Sequence, residues 1–107
     1  MTKNKILSYV GFAIRAGEYR LGVNAIYTLK RAKLLILCGT AAKNTVKEAI
    51  KLSKKFNCAI VVAKTVTVEE MTGKEHCKLM AITDASLAKA IKDNLDGDFT
   101  RFETEAE

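Results

Sequence analysis

The stretch Gly22-Val23-Asn24 offers a ligand more than any other part of this sequence. Ala25, Ile26, Leu29 and Ala32 follow it with the spacing of one helix face, so glycine and asparagine stand where a helix running to about Arg31 begins. A helix start leaves amide hydrogens unpaired and turns the positive end of the dipole outward, which suits a phosphate. Glycine lets a second backbone come close, and asparagine carries both a donor and an acceptor for the edge of a base. Arg20 just upstream, and Lys30, Arg31 and Lys33 at the far end of the segment, add positive charge. A glycine turn followed by an asparagine cap explains the same residues without any ligand. Both readings stay open at this level.

Lys43, Lys47, Lys51, Lys54 and Lys55 fall on one side of the next helical segment, away from Val46 and Ile50. A solvated helix face accounts for such a stripe. Against nucleic acid it would neutralise phosphates, adding affinity without sequence choice. Catalytic groupings are scarce. The chain has one histidine and no paired carboxylates at helical spacing for acid–base work. His76 and Cys77 are adjacent, and neighbours on an extended segment point apart. Neither a thiol–imidazole nucleophile nor a shared metal ion is therefore expected from them. No P-loop and no G-x-G-x-x-G fingerprint occurs. The expectation is a protein that is not an enzyme, with no metal, no cofactor and no small-molecule substrate.

The 107 residues suit one domain. Eighteen basic and 12 acidic side chains give +6, but the charge is divided. Residues 1–95 hold 17 basic and 7 acidic groups, net +10, whereas residues 96–107 set Arg101 against Asp96, Asp98, Glu103, Glu105 and Glu107, net −4. A basic body over 1–95 and an acidic tail over 96–107 follow from that division, which points to a polyanionic partner for the body. Cys38, Cys58 and Cys77 are odd in number and form no C-x-x-C pair, which argues against a disulfide framework and for a reducing, cytoplasmic setting. The longest strictly apolar run, Cys58 to Ala63, is far shorter than the roughly 18–20 residues of a membrane span. Lys3 and Lys5 ahead of Ile6 to Ile14 look like the start of a signal peptide, but Arg15 and a helical spacing of apolar residues make this a first helix ending at Gly17.

The rest of the pattern alternates. Glu18 to Leu21 reads as a short extended piece, and Leu34 to Cys38 as a strand buried on both faces. Gly39 to Lys43 is a loop of small residues, with Asn44 or Thr45 placed to cap a helix over about Thr45 to Phe56. Ala59 to Ala63 reads as a second buried strand, Val68 to Met71 as one helical turn, Gly73 to Lys78 as a loop and Leu79 to Thr83 as a third strand. Asp84 caps a last helix carrying Leu87, Ala88, Ile91 and Leu95. Strands alternating with helices predict an α/β fold, a three-layer α/β/α sandwich around a mixed, mostly buried sheet.

In order, Ala16-Gly17, Gly22-x-Asn24 at a helix start, Ala32 through Leu37 into a small-residue loop, and Asn44-Thr45 resemble the kink-turn RNA-binding ribosomal family known as large-subunit protein seven-Ae / thirty-e. Thr72-Gly73-Lys74 and Ala81-Ile82-Thr83-Asp84 look like its short bacterial relatives of the YlxQ type, and the resemblance spans about residues 3 to 95. It implies an α/β/α sandwich that grips a sharply bent internal loop with tandem sheared G·A pairs. The helix start after the first strand would read guanine edges, which places Gly22, Val23, Asn24 and Ala25 on RNA. The loop from Thr72 through Lys78, with Gly73, Lys74, His76 and Lys78, would cover the flipped-out bases. Gly39 and Thr40 hold the place after the second strand where the family usually has an acidic residue. The pattern G-x-N-E-x-x-K keeps Gly22 and Asn24, but its Glu becomes Ala25 and its Lys becomes Thr28.

The resulting expectation is a cytoplasmic, monomeric RNA-binding protein, ribosome-associated or bound to another structured RNA. Asn24 and the Gly22 amide would meet bases, and Arg20, Lys30, Lys33, Lys74 and Lys78 would hold phosphates. A protein–protein adaptor on the same fold is the alternative, favoured by the missing Glu and Lys and disfavoured by the +10 body. The tail, whose acids interleave with Phe99 and Phe102, either keeps the chain soluble or folds back over the basic face in competition with RNA.

Overall fold

Leu34–Cys38 and Ala59–Ala63 carry an apolar side chain at every position, so each strand needs cover on both faces. The structure, a computed structural model that describes residues 5–64, 68–73, 77–95 and 98–102, supplies that cover. The elements are α1 (Lys5–Ala16), β1 (Tyr19–Leu21), α2 (Val23–Tyr27), β2 (Leu34–Cys38), α3 (Lys43–Phe56), β3 (Ala59–Ala63), α4 (Val68–Thr72), β4 (Leu79–Ile82), α5 (Ala85–Asp93) and β5 (Phe99–Arg101). They form a three-layer α/β/α arrangement around a five-stranded sheet of order β1-β4-β2-β3-β5. β2 and β3 are parallel, in register from Leu34↔Ala59 to Cys38↔Ala63. β4 runs antiparallel to both β1 and β2, and β5 antiparallel to β3, so the sheet is mixed.

Alternation along β2 divides the core. Leu34, Ile36 and Cys38 face Ile6, Val10 and Ala13 of α1, Val68 of α4, and Ala88 and Ile91 of α5. Leu35 and Leu37 face Ile26 of α2 and Ala49 and Leu52 of α3. Every residue of β2 is buried, and each Leu or Ile so placed contributes roughly 1.5–3 kcal/mol relative to exposure. Among the described residues no polar or charged side chain is buried. Asp84 caps α5 as its type predicts, accepting a 3.0 Å bond from the Leu87 amide.

Three expectations are corrected. The helix predicted to reach Arg31 stops at Tyr27, because the Thr28 hydroxyl donates to the Ala25 carbonyl at 2.6 Å and closes the last turn. The remaining residues form a turn that still carries Leu29 and Ala32 into the core. The cap predicted at Asn44 or Thr45 is not there: α3 begins two residues earlier, with Ala42 at the cap position and no side chain bonded to the free amides. The fold also does not stop at residue 95. Phe99, expected in an acidic tail, is fully buried against the α1–α5 layer, and Phe102 packs on the other layer beside Ile60. An extended chain puts successive side chains on opposite faces, so one short strand closes both layers at this edge. Residues 96, 97 and 103–107 of that stretch lie outside the described residues.

Because Phe99 fills the core at a sheet edge, Phe99→Ala is expected to cost about 3–5 kcal/mol by loss of transfer energy and creation of a cavity. Urea unfolding of the two chains measures it. A cost below about 1 kcal/mol would place Phe99 outside the cooperative core.

Candidate functional site

Strand direction sorts the chain's functional side chains to two ends. β1, β2 and β3 run one way, so the turn after Leu21, the loop after Cys38 and the start of α3 lie at one end, together with the segment entering β4. The approach to β2, the end of α3 and the start of β3 lie at the other.

At the first end, Gly22 has φ 87° and ψ 149°, a conformation that a side chain rarely tolerates. A Cβ there would meet nothing within 4 Å, so the glycine serves the backbone path and its surroundings are open. Its amide donates to the Leu79 carbonyl at 3.0 Å, which ties the turn to β4. Asn24 is exposed, and with Val23 and Tyr27 it forms one wall of a cavity of about 340 Å³ whose other wall is Asn44, Thr45 and Glu48. The first turn of α3, without a side-chain cap and without an acidic residue, opens on the same space.

Glu48 was not legible as a site residue. It is the one acidic residue in α3, a signal visible in the sequence, but its partner is remote. Tyr27 Oη donates to Glu48 Oε1 at 2.7 Å, and that carboxylate holds the tyrosine above its ordinary value. Lys51 Nζ stands 3.7 Å from the other oxygen. A carboxylate from a different helix thus lies in the same cavity as Asn24. Ala25 itself turns the other way, into a cavity of about 610 Å³ along edge strand β1 with Arg20, Leu21 and Cys77. Arg20 Nη1 donates to the Tyr19 carbonyl at 2.7 Å.

The remaining predicted residues have other tasks. A Cβ on Gly39 would lie 2.9 Å from the Ala63 carbonyl oxygen, so this glycine lets the loop after β2 close on the end of β3. Thr40 shares a 3.0 Å hydrogen bond with Cys38. Lys78 Nζ donates to Glu69 Oε1 at 2.8 Å and to Thr40 Oγ1 at 3.3 Å, and the Glu69 carboxylate holds the ammonium above the ordinary lysine value. Lys78 is thus already matched by a carboxylate, which weakens it as a phosphate ligand. Burial pushes the Cys38 thiol up, but bonds from the Thr40 hydroxyl and from the Thr40 and Val68 backbones, with the Lys78 charge, leave it below its ordinary value. It is 1% exposed, so it is a core group with no access to solution. Thr28 spends its hydroxyl on closing α2. Gly73 ends α4, its amide bonded to Glu69 at 2.8 Å, while Lys74 and His76 lie outside the described residues.

Lys30 is exposed on the turn that leaves this end, and Lys33 belongs to the opposite one. Of the lysine stripe, Lys51 meets Glu48 and Lys55 folds back onto α2, donating to the Tyr27 carbonyl at 3.1 Å. Lys43 and Lys47 remain exposed near the Asn24 cavity, without ion pairs among the described residues.

At the opposite end Lys33 lines a cavity of about 610 Å³ with Ser53, Lys54, Cys58, Lys92 and Arg101. Burial pushes the Cys58 thiol up to about 11 against the opposing charge of Lys92. At pH 8 only ~10⁻³ of it is thiolate, so alkylation by iodoacetamide is slow and rises about tenfold per pH unit to near pH 10. Peptide mapping of the alkylated chain by mass spectrometry checks this slope at Cys58. A rate that levels off near pH 8 would contradict it.

Among the described residues no helix is long and apolar enough to cross a membrane, and no group of three His, Cys, Asp or Glu side chains is placed to hold a metal ion. No family model and no curated protein matches the chain. Among solved structures it is similar to a protein of unknown function from Bacillus halodurans C, with 22% identity and a TM-score of 0.71, over 85% of this chain and 96% of that one. At that identity the likeness is one of fold: an α/β sandwich with a mixed sheet.

Proposed function

We propose that this chain is a non-catalytic RNA-binding protein that grips kinked internal-loop RNA at the end of the sheet carrying Gly22 and Asn24. The observation that carries this reading is the pairing, in one open cavity, of the exposed Asn24 amide with the uncapped first turn of α3. Distorted RNA presents splayed bases and backbone together, and is read through base edges and shape rather than through a deep major groove. Asn24 supplies a donor and an acceptor, and Glu48 supplies the acceptor for a guanine amino group. Lys43 and Lys47, exposed on the first turns of α3, would neutralise phosphates flanking such a bend. The reading agrees with the resemblance to the seven-Ae / thirty-e family and with the +10 body, and it includes a cytoplasmic, ribosome-associated setting.

The adaptor alternative draws on Phe12, 49% exposed on α1 with the Arg15 guanidinium 4.9 Å from its ring centre. Salt dependence separates the two. Neutralising several phosphates makes affinity fall steeply with salt, whereas an apolar contact does not.

Titration with a kink-turn RNA and with a straight duplex of equal length tests the proposal. The bent RNA is expected to bind more tightly, and Asn24→Ala to cost it about 1–3 kcal/mol while leaving the duplex unchanged. Glu48→Gln, which keeps the shape and the Tyr27 contact but loses the charge, is expected to lower the preference for the bent RNA in the same sense. Equal affinity for the two RNAs, or none for either at low salt, would overturn the reading.

A further inference from the structure

The cavity around Lys33 has a composition unlike the rest of the surface. Lys33 comes from the turn before β2, Lys54 from the end of α3, Lys92 from the end of α5 and Arg101 from β5, and among the described lining residues none is a carboxylate. α3 and α5 cover opposite faces of the sheet, so the two layers bring their cations together at the start of β3. Elsewhere three of the described lysines are matched by a carboxylate: Lys51 by Glu48, Lys78 by Glu69 and Lys89 by Asp93. Lys33, Lys54 and Lys92 have no ion pair among the described residues.

Lys54 and Lys92 sit in the last turns of their helices, where a helix dipole presents about −0.5 charge each. Two such ends offset about one unit, against the three lysines Lys33, Lys54 and Lys92, so the described lining keeps a net positive field. Its walls also offer neutral donors, the Ser53 hydroxyl and the Asn57 amide, and the Cys58 thiol stays uncharged and subtracts nothing. About 610 Å³ exceeds what one small ion fills and suits two or three linked phosphate groups.

We propose that this cavity is an oligophosphate-binding site, separate from the Gly22–Asn24 end and built by Lys33, Lys54, Lys92 and Arg101. The recognised chemistry is that of closely spaced phosphates, supplied by a small polyphosphate ligand or by consecutive phosphates of a nucleic-acid backbone. The site goes beyond the RNA reading and does not depend on it.

Inorganic triphosphate titrated into the full chain, followed by amide chemical shifts, is the direct probe. Shifts are expected at Lys33, over Ser53 to Ala59 and at Lys92. Lys54→Gln with Lys92→Gln, two exposed positions, is expected to weaken binding by about tenfold or more. Glu103, Glu105 and Glu107 follow directly on the strand that carries Arg101, so the titration is repeated with all three changed to Gln, which removes competition from the chain's own carboxylates. No shifts in either chain, shifts that follow the Lys43–Lys47 face instead, or an unchanged affinity in the double variant would overturn the proposal. An RNA titration on the double variant then identifies the source. A salt slope lower by about 2 assigns the site to nucleic-acid backbone. An unchanged slope with triphosphate binding lost assigns it to a small ligand. Triphosphate binding without any RNA binding would leave this site standing and remove the RNA reading.

Discussion

Parallel pairing of β2 with β3 is the constraint on which the rest of the molecule depends. Two adjacent strands that are apolar at every position have to be covered on both sides, and a parallel pair needs a long crossover between its members. α3 is that crossover, and it covers one face while α1 and α5 cover the other. The same pairing sends the loop after β2 and the start of α3 to one end, beside the turn that follows β1. Both candidate binding regions are consequences of that layout, since each collects segments that enter or leave the sheet at one end.

The two ends differ in charge balance. Around Asn24 and Lys78 each cluster of cations has a carboxylate within it, Glu48 in one and Glu69 in the other. Mixed charge of that kind positions hydrogen-bonding groups and limits indiscriminate attraction. Around Lys33 the described lining residues include four cations and no carboxylate, a balance that favours affinity for phosphate over choice among partners. The described surface thus has one end where cations and carboxylates are mixed and one end where cations prevail, and is not uniformly positive.

β5 couples the cationic end to the core. Phe99 enters one layer and Phe102 the other, while Arg101 between them lines the cationic cavity. The strand that completes the hydrophobic edge also carries a member of the proposed phosphate site, so loss of the strand would remove both together. A truncation after Leu95 therefore cannot report on the acidic residues alone, whereas neutralising Glu103, Glu105 and Glu107 can.

Local pattern sufficed for the interior elements. β2 and β3 span the residues their apolar runs predict, the Asp84 cap forms as its residue type predicts, and α1 ends before Gly17, because each of these depends on neighbours a few positions away. The helix start at Gly22–Asn24 was legible for the same reason. β5 was not, since an acidic stretch of ordinary composition becomes a strand only when the free edge of β3 offers it hydrogen bonds and two hydrophobic pockets. Glu48 beside Asn24, Lys78 bound by Glu69, and Lys33 grouped with Lys54, Lys92 and Arg101 were equally hidden. Each joins residues from separate elements whose distance is set by how the layers pack on the sheet, and side-chain type and spacing along the chain carry no measure of that distance.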